Sequence, residues 1–185
     1  MNEVIKAITE RYTCRDFTGA PLTDDQVKAL ADSALAAPSA SNRQPWHIVI
    51  IMNKELIEEL DAEGFKVLSG AEDRTYYERV RDGGGKVFYN APFLMLVLGD
   101  DSSRWAQMDC GILCQNVVLT AQSMGLGSCI VGLAGVPLTG PRKEEYRKRL
   151  GFPDGYEFAI GILVGTIKSG KEPHEWDLSK VSYIR

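Results

Sequence analysis

The 185-residue chain reads as one layered α+β domain, with about four strands and five or six helices along its length. Three observations predict that class. Helix-periodic segments alternate with short continuous apolar runs, Ile48–Ile51, Phe93–Leu98, Ser128–Leu133 and Phe158–Val164. The run Phe93–Leu98, ending at Gly99-Asp100-Asp101, reads as a strand buried on both faces. Composition is ordinary for a packed core, at 44% hydrophobic and 25% charged.

In chain order, Val4, Ile5 and Ile8 mark one face of a first helix ending near Arg11. Gly19 and Pro21 break the pattern. Thr23 and Gln26 then form a capping box for a helix over 24–37, with Val27, Leu30, Ala31 and Ala34 at helical spacing. The loop 36–49 follows and leads into the first strand. Residues 53–62 form a helix, charged on one face and lined by Leu56, Ile57 and Leu60 on the other. Residues 64–86 are the least regular stretch and end in Gly83-Gly84-Gly85, read either as a cover over a pocket or as a surface excursion. After the strand at 93–98, a helix over 105–124 is so apolar that a central place in the core is expected; Gly125-Leu126-Gly127 stops it. The strand at 128–133, a polar helix over 137–150 with Tyr146 and Leu150 inward, and the strand at 158–164 complete the body. The tail, 166–185, has no element of its own, yet carries Trp176, Leu178, Val181, Tyr183 and Ile184. Such a tail is expected to lie on a partner subunit. No repeat or linker divides residues 1–185.

The net charge of -4 gives none of the basic footprint of a nucleic-acid binder. No apolar run is long enough to span a bilayer, and the N-terminus lacks a signal-peptide core, so a cytoplasmic protein is expected. Cys110 and Cys114 lie one helical turn apart without the Cys-x-x-Cys spacing of dithiols or zinc ribbons; they read as small buried residues, and no metal site is expected.

Two stretches carry more directional chemistry than a connector needs. In Ala37-Pro38-Ser39-Ala40-Ser41-Asn42-Arg43-Gln44-Pro45-Trp46, two prolines fix the backbone around short donors and acceptors. That suits either a small-molecule site or a polar helix cap. In Arg11-Tyr12-Thr13-Cys14-Arg15-Asp16-Phe17, two guanidinium forks flank a hydroxyl, which suits an anion or merely a solvated helix end.

Taken together these pieces resemble the nitroreductase family of flavin enzymes. The motif from Arg11 to Phe17, the loop from Ala37 to Trp46, Asn90-Ala91-Pro92 before the central strand, and Asp109 followed by Leu119–Ser128 appear in the family's order over nearly the whole chain. The resemblance implies a three-layer α/β/α fold, with a central, mostly antiparallel sheet flanked by helices. It also implies a homodimer with FMN at the subunit interface. It assigns Arg11, Thr13 and Arg15 to the flavin phosphate and ribityl groups. Pro38, Ser39, Asn42 and Gln44 are assigned to the flavin's surroundings, and the backbone of Ser128, Cys129, Ile130, Val131 and Gly132 to its N5 edge. A basic residue after the last strand, Lys168 or Lys171, completes the phosphate site. Two departures stand out: Thr166 follows the last strand where an aromatic is common, and Thr13 replaces the commoner serine.

A bound flavin brings the redox chemistry, so no acid–base dyad or nucleophile triad is required. His47 and His174 receive no catalytic role. The implied reaction is ping-pong, with NAD(P)H giving a hydride and a nitroaromatic or quinone-like acceptor taking it. One open face serves both molecules, and no Gly-x-Gly-x-x-Gly fingerprint is present. Arg15 and Arg43 are the candidate positive groups beside the flavin. Enone reduction or dehalogenation by the same fold, and FMN storage or sensing without turnover, are the alternative activities.

Overall fold

A computed structural model describes residues 2–185. Four strands, β1 (Trp46–Ile51), β2 (Phe93–Asp100), β3 (Gly127–Val131) and β4 (Tyr156–Gly165), form one sheet in the order β1-β2-β4-β3. All three pairings are antiparallel. Every residue of β2 from Phe93 to Gly99 is buried, because the sheet is covered on both faces. Strand alternation then sorts its side chains. Leu94, Leu96 and Leu98 enter one core with Ile57, Leu60 and Tyr146, while Phe93, Met95 and Val97 enter the other with Leu30, Leu113 and Val117. The first core is roofed by α3 (Lys54–Ser69), α4 (Thr75–Asp82) and α6 (Lys143–Arg149), the second by α2 (Asp24–Leu35) and α5 (Ala106–Ser123). The expected three layers are present. The helix α1 (Glu3–Glu10) packs on α5 and buries none of its own residues.

The local signals explain most element starts. Thr23 Oγ1 accepts from the Gln26 N–H and Gln26 Oε1 accepts from the Thr23 N–H, at 3.2 and 2.9 Å. Asn53 caps α3 by accepting from the Leu56 N–H at 2.7 Å. Other expectations need correction. The helix expected over 53–62 continues to Ser69, and the irregular stretch 64–86 also holds α4. The helix expected over 137–150 is replaced by a 3-10 segment, Gly132–Leu138, followed by α6. The strand expected to reach Leu133 ends at Val131, so Gly132 opens that 3-10 segment. The tail is not wholly without structure, since Leu178–Lys180 is a 3-10 turn. The helix α5 is not surrounded by core: Met108 and Ile112 are exposed on one side of it.

A charged cluster ties α6 to α3. Glu59 accepts from Arg142 at 2.6 Å and from Arg149 at 2.8 Å, and Arg142 also donates to the Tyr146 hydroxyl at 2.7 Å. The hydrogen bond from Arg149, then that from Arg142, hold the Glu59 carboxyl down at about 2, against an ordinary value of 4.5. A depressed carboxylate stabilises the fold above its unfolded pKa and loses that contribution as pH falls through the folded one. Glu59→Gln is therefore expected to destabilise at neutral pH, by on the order of 1 kcal/mol because the side chain is partly solvated. The gap to the parent should close between pH 4.5 and about 2. Urea melts at neutral and acid pH measure it; a pH-independent gap would contradict this account.

Candidate functional site

The segment after α1 is stitched along the outer edge of β3. Thr13 forms a parallel bridge with Ser128, and the Cys14 N–H donates to the Ser128 carbonyl at 2.9 Å. Phe17 bridges Ile167, and the Thr18 and Lys168 N–H groups donate to the carbonyls of Thr166 and Asp16, both at 3.0 Å. This seam requires a glycine at 127. A Cβ there would lie 2.8 Å from Cys14 Sγ and 2.8 Å from Ile167 Cγ1. The result is a cleft of about 170 Å³ lined by Tyr12, Thr13, Arg15, Asp16, Ser169, Gly170 and Lys171.

The charges in this cleft are unevenly engaged. Asp16 accepts from the Ser169 hydroxyl at 2.8 Å and pairs with Lys168 at 3.6 Å. Arg11, Arg15 and Lys171 have no ion-pair partner among the described residues. Of the two tail lysines, Lys171 lines the cleft, whereas Lys168 is drawn to Asp16. Along β3, Ser128, Cys129 and Val131 are buried and Ile130 points out, 42% exposed. Beyond it, nothing lies within 4 Å of where a Cβ on Gly132 would stand, so the strand end is open to a ligand. Burial pushes the Cys129 thiol pKa up, while Arg15, Arg79 and Arg11 oppose that rise. Arg79, on α4, carries no hydrogen bond or ion pair among the described residues and is not among the residues lining the cleft. Val80 is the one fully buried residue of α4, with Tyr77 partly buried beside it, too few to give a periodic signal.

The second cluster has its own scaffold. Ser41, Asn42 and Gln44 all sit in the left-handed region, at φ 53°, 53° and 49°. Such conformations are uncommon for residues with a Cβ and persist only where surrounding bonds hold them. Here the Gln44 N–H donates to Ser39 Oγ at 2.9 Å and the Gln44 amide to Asn42 Oδ1 at 3.1 Å. The buried Asp109 carboxylate at the start of α5 accepts from the Ala40 N–H at 3.2 Å. Pro38 and Arg43 are exposed on this loop. His47, on β1, is solvent-facing against the Tyr156 ring at 6.2 Å.

A single chain keeps the two clusters apart. The Arg11–Arg15 segment borders β3 at the level of Phe93, and the Ser39–Gln44 loop precedes β1 at the level of Gly99, on the opposite sheet edge. Three strand spacings of roughly 4.8 Å and six residues of about 3.3 Å each put them on the order of 25 Å apart. Each set suits a different end of an FMN: cations and a hydroxyl for the phosphate and ribityl chain, amides for the ring. A separate cavity of about 480 Å³ between Leu22, Met52, Ile57 and Phe88 does not suit an anionic cofactor. Its charges are already paired, Lys54 with Glu58 at 3.8 Å and Lys86 with Asp61 at 3.7 Å.

Comparison with known proteins decides the family. The Nitroreductase family profile matches residues 8–166. The chain belongs to this family. A nitroreductase with bound FMN from Desulfitobacterium hafniense DCB-2 superposes with a TM-score of 0.96 at 43% identity, covering 100% of both chains. The chain is 33% identical to an FMN reductase [NAD(P)H] of Bacillus subtilis, over 94% of this chain and 70% of that one. It is 26% identical to a putative NADH dehydrogenase/NAD(P)H nitroreductase of Archaeoglobus fulgidus, over 96% and 92%. The nitroreductase fold and the class of FMN-dependent NAD(P)H oxidoreductase expected from the sequence both hold.

Proposed function

We propose that two copies of this nitroreductase build two identical flavin sites, each drawing on both chains. Arg11, Thr13, Arg15, Lys171 and the edge from Ser128 to Gly132 come from one protomer; Pro38, Ser39, Asn42 and Gln44 come from its partner. The separation of these two sets within one chain carries the reading. Exposed apolar side chains support it: Val4, Ile5 and Ile8 on α1, which packs on α5, and Met108 and Ile112 on α5 itself are uncovered, as interface residues are in a lone protomer. Trp176, Leu178, Val181, Tyr183 and Ile184 of the tail are also uncovered. Residues 1–185 act as one domain whose tail, 166–185, lies on the partner. No described helix is long and apolar enough to cross a membrane, and we place the enzyme in the cytoplasm.

Bound FMN would supply hydride transfer from NAD(P)H to a nitroaromatic or quinone-like acceptor. The protein's part is binding and electrostatics. Arg11 and Lys171 hold the phosphate, Thr13 the ribityl chain, and Arg15 adds positive charge near the ring. The partner's Asn42 and Gln44 offer amide donors from a backbone already fixed by Ser39 and Asp109. NAD(P)H and acceptor use the one open face in turn.

The visible spectrum tests this directly. Purified protein should show flavin bands that bleach under NADPH or NADH without oxygen and return on adding a nitroaromatic. Bands that never bleach would favour storage or sensing, and bleaching without acceptor turnover would exclude the nitroreductase activity. Ile112→Asp should shift the protein to a monomer in size exclusion and release the flavin together. A monomer that retains FMN would refute the shared site.

A further inference from the structure

The flavin site leaves the cavity of about 480 Å³ unused. That cavity shares no lining residue with the cleft beside β3 and none with the Ser39–Gln44 loop. It lies beyond the paired ends of β1 and β2. Met52 follows the last pair, Ile51 with Leu94, and Pro92 has no N–H with which to extend the ladder. The two layers part there. Leu22 and Phe93 reach the cavity from the core under α2 and α5, Ile57 and Phe88 from the core under α3. One wall is a fixed turn: Tyr89 and Asn90 hold left-handed φ of 53° and 59°, and the Ala91 N–H donates to the Phe88 carbonyl at 2.9 Å. A single charge pair is set into this apolar space. Asp61, 4% exposed, lines the cavity. Its Oδ1 accepts from the Phe88 N–H at 2.6 Å. Among the described residues its Oδ2 has only the Lys86 ammonium, at 3.7 Å, beyond the roughly 2.7–3.2 Å of a hydrogen bond. A buried carboxylate oxygen short of donors is costly, and burial pushes the Asp61 carboxyl pKa up. One hydroxyl placed between the two groups satisfies both, donating its proton to Oδ2 and accepting from Lys86. An anion there would be repelled by Asp61 and a cation by Lys86, so the pair selects a neutral group.

We propose that this cavity binds a neutral phenolic molecule, its ring between Leu22, Ile57, Phe88 and Phe93 and its hydroxyl bridging Asp61 and Lys86. Apolar walls with one convergent polar pair, at this volume, suit a ligand of one or two rings. The site is separate from the flavin and does not depend on the flavin reading.

Equilibrium dialysis of the full chain, loaded with FMN, tests it with two probes. 2-Naphthol carries the hydroxyl; 2-methoxynaphthalene keeps the rings but donates no hydrogen bond. The parent should bind 2-naphthol about 10- to 100-fold more tightly, as a hydrogen bond to a charged group predicts. Asp61→Asn keeps an oxygen for the Phe88 N–H and turns the free oxygen into an amide donor. It should abolish the preference while FMN content and NAD(P)H turnover stay parental. Leu22→Trp fills the cavity and leaves the carboxylate in place. It should remove 2-naphthol binding altogether, and it keeps the test decisive if Asp61→Asn does not fold. If the parent holds no flavin yet discriminates the two probes through Asp61, the flavin reading fails and this site stands. If the parent binds flavin but binds both probes equally, or neither, the phenol site is overturned and the flavin reading stands. Binding of 2-naphthol that survives Leu22→Trp and competes with the nitroaromatic would place the probe on the flavin face and also overturn the site.

Discussion

Arg11→Ala combined with Arg15→Ala is expected to give a folded, colourless protein. Each guanidinium stands at the β3 seam without an ion-pair partner, so removing it orphans no buried carboxylate and costs the apoprotein little, within about 0.5 kcal/mol. Flavin binding is affected differently. A charged hydrogen bond to a partly desolvated phosphate contributes about 1.5–3 kcal/mol, equivalent to roughly 10- to 100-fold in affinity for each arginine. Together they should lower FMN affinity by at least about two orders of magnitude. Arg11→Lys keeps the charge but loses the fork, and should fall between. The readouts are the flavin-to-protein absorbance ratio after gel filtration and titration of the apoprotein with FMN. The apoprotein's thermal midpoint serves as the folding control. Full flavin content in the double variant would remove the phosphate site from this cleft.

What the sequence made legible follows from which residues share a face locally. β2 and the end of β4 were legible because they are buried on both sides and so read as unbroken apolar runs. The capping box at Thr23 was visible because it is a contact three residues long. The second half of α3 was not. Asp61, Glu63 and Gly64 are all buried there, which inverts the polar-outside pattern that marks a helix. Asp61 is buried because it accepts from the Phe88 N–H at 2.6 Å, and a Cβ on Gly64 would already touch Pro137 at 3.4 Å; both causes lie far away in sequence. The 3-10 segment before α6 has a similar origin. A Cβ at Gly135 would stand 2.5 Å from the Phe158 ring, so this chain crosses β4 at glycine contact distance. For the site, residue types told the chemistry, but not the partition between two protomers. That partition depends on the strand order β1-β2-β4-β3, which puts β1 and β3 on opposite edges of the sheet. The left-handed backbone at Ser41, Asn42 and Gln44 was equally hidden, since only asparagine among them favours it.

Gly127→Ala should couple fold and site most directly. Residue 127 pairs with Gly165 inside the sheet, and its φ is not in the left-handed region. An alanine there meets steric conflict rather than backbone strain. Its Cβ would lie 2.9 Å from Cys14 Cβ, besides the two contacts at 2.8 Å. Overpacking of this kind costs about 1–3 kcal/mol, measurable as a lower thermal midpoint. On its inner side β3 is held by a continuous antiparallel ladder to β4, whereas the seam is joined to it by a single isolated bridge, so the seam gives way. Cys14 moves outward, and Thr13 and Arg15 on either side move with it. FMN affinity should therefore fall along with stability. Adding Cys14→Ala to Gly127→Ala removes the Sγ contact while leaving the Cβ one, so it should restore part of both losses, more than the sum of the single effects allows. If Gly127→Ala destabilised the fold yet bound FMN with parental affinity, the seam between Cys14 and β3 would be structural only, and the cleft beside it would not be what positions Thr13 and Arg15 for the cofactor.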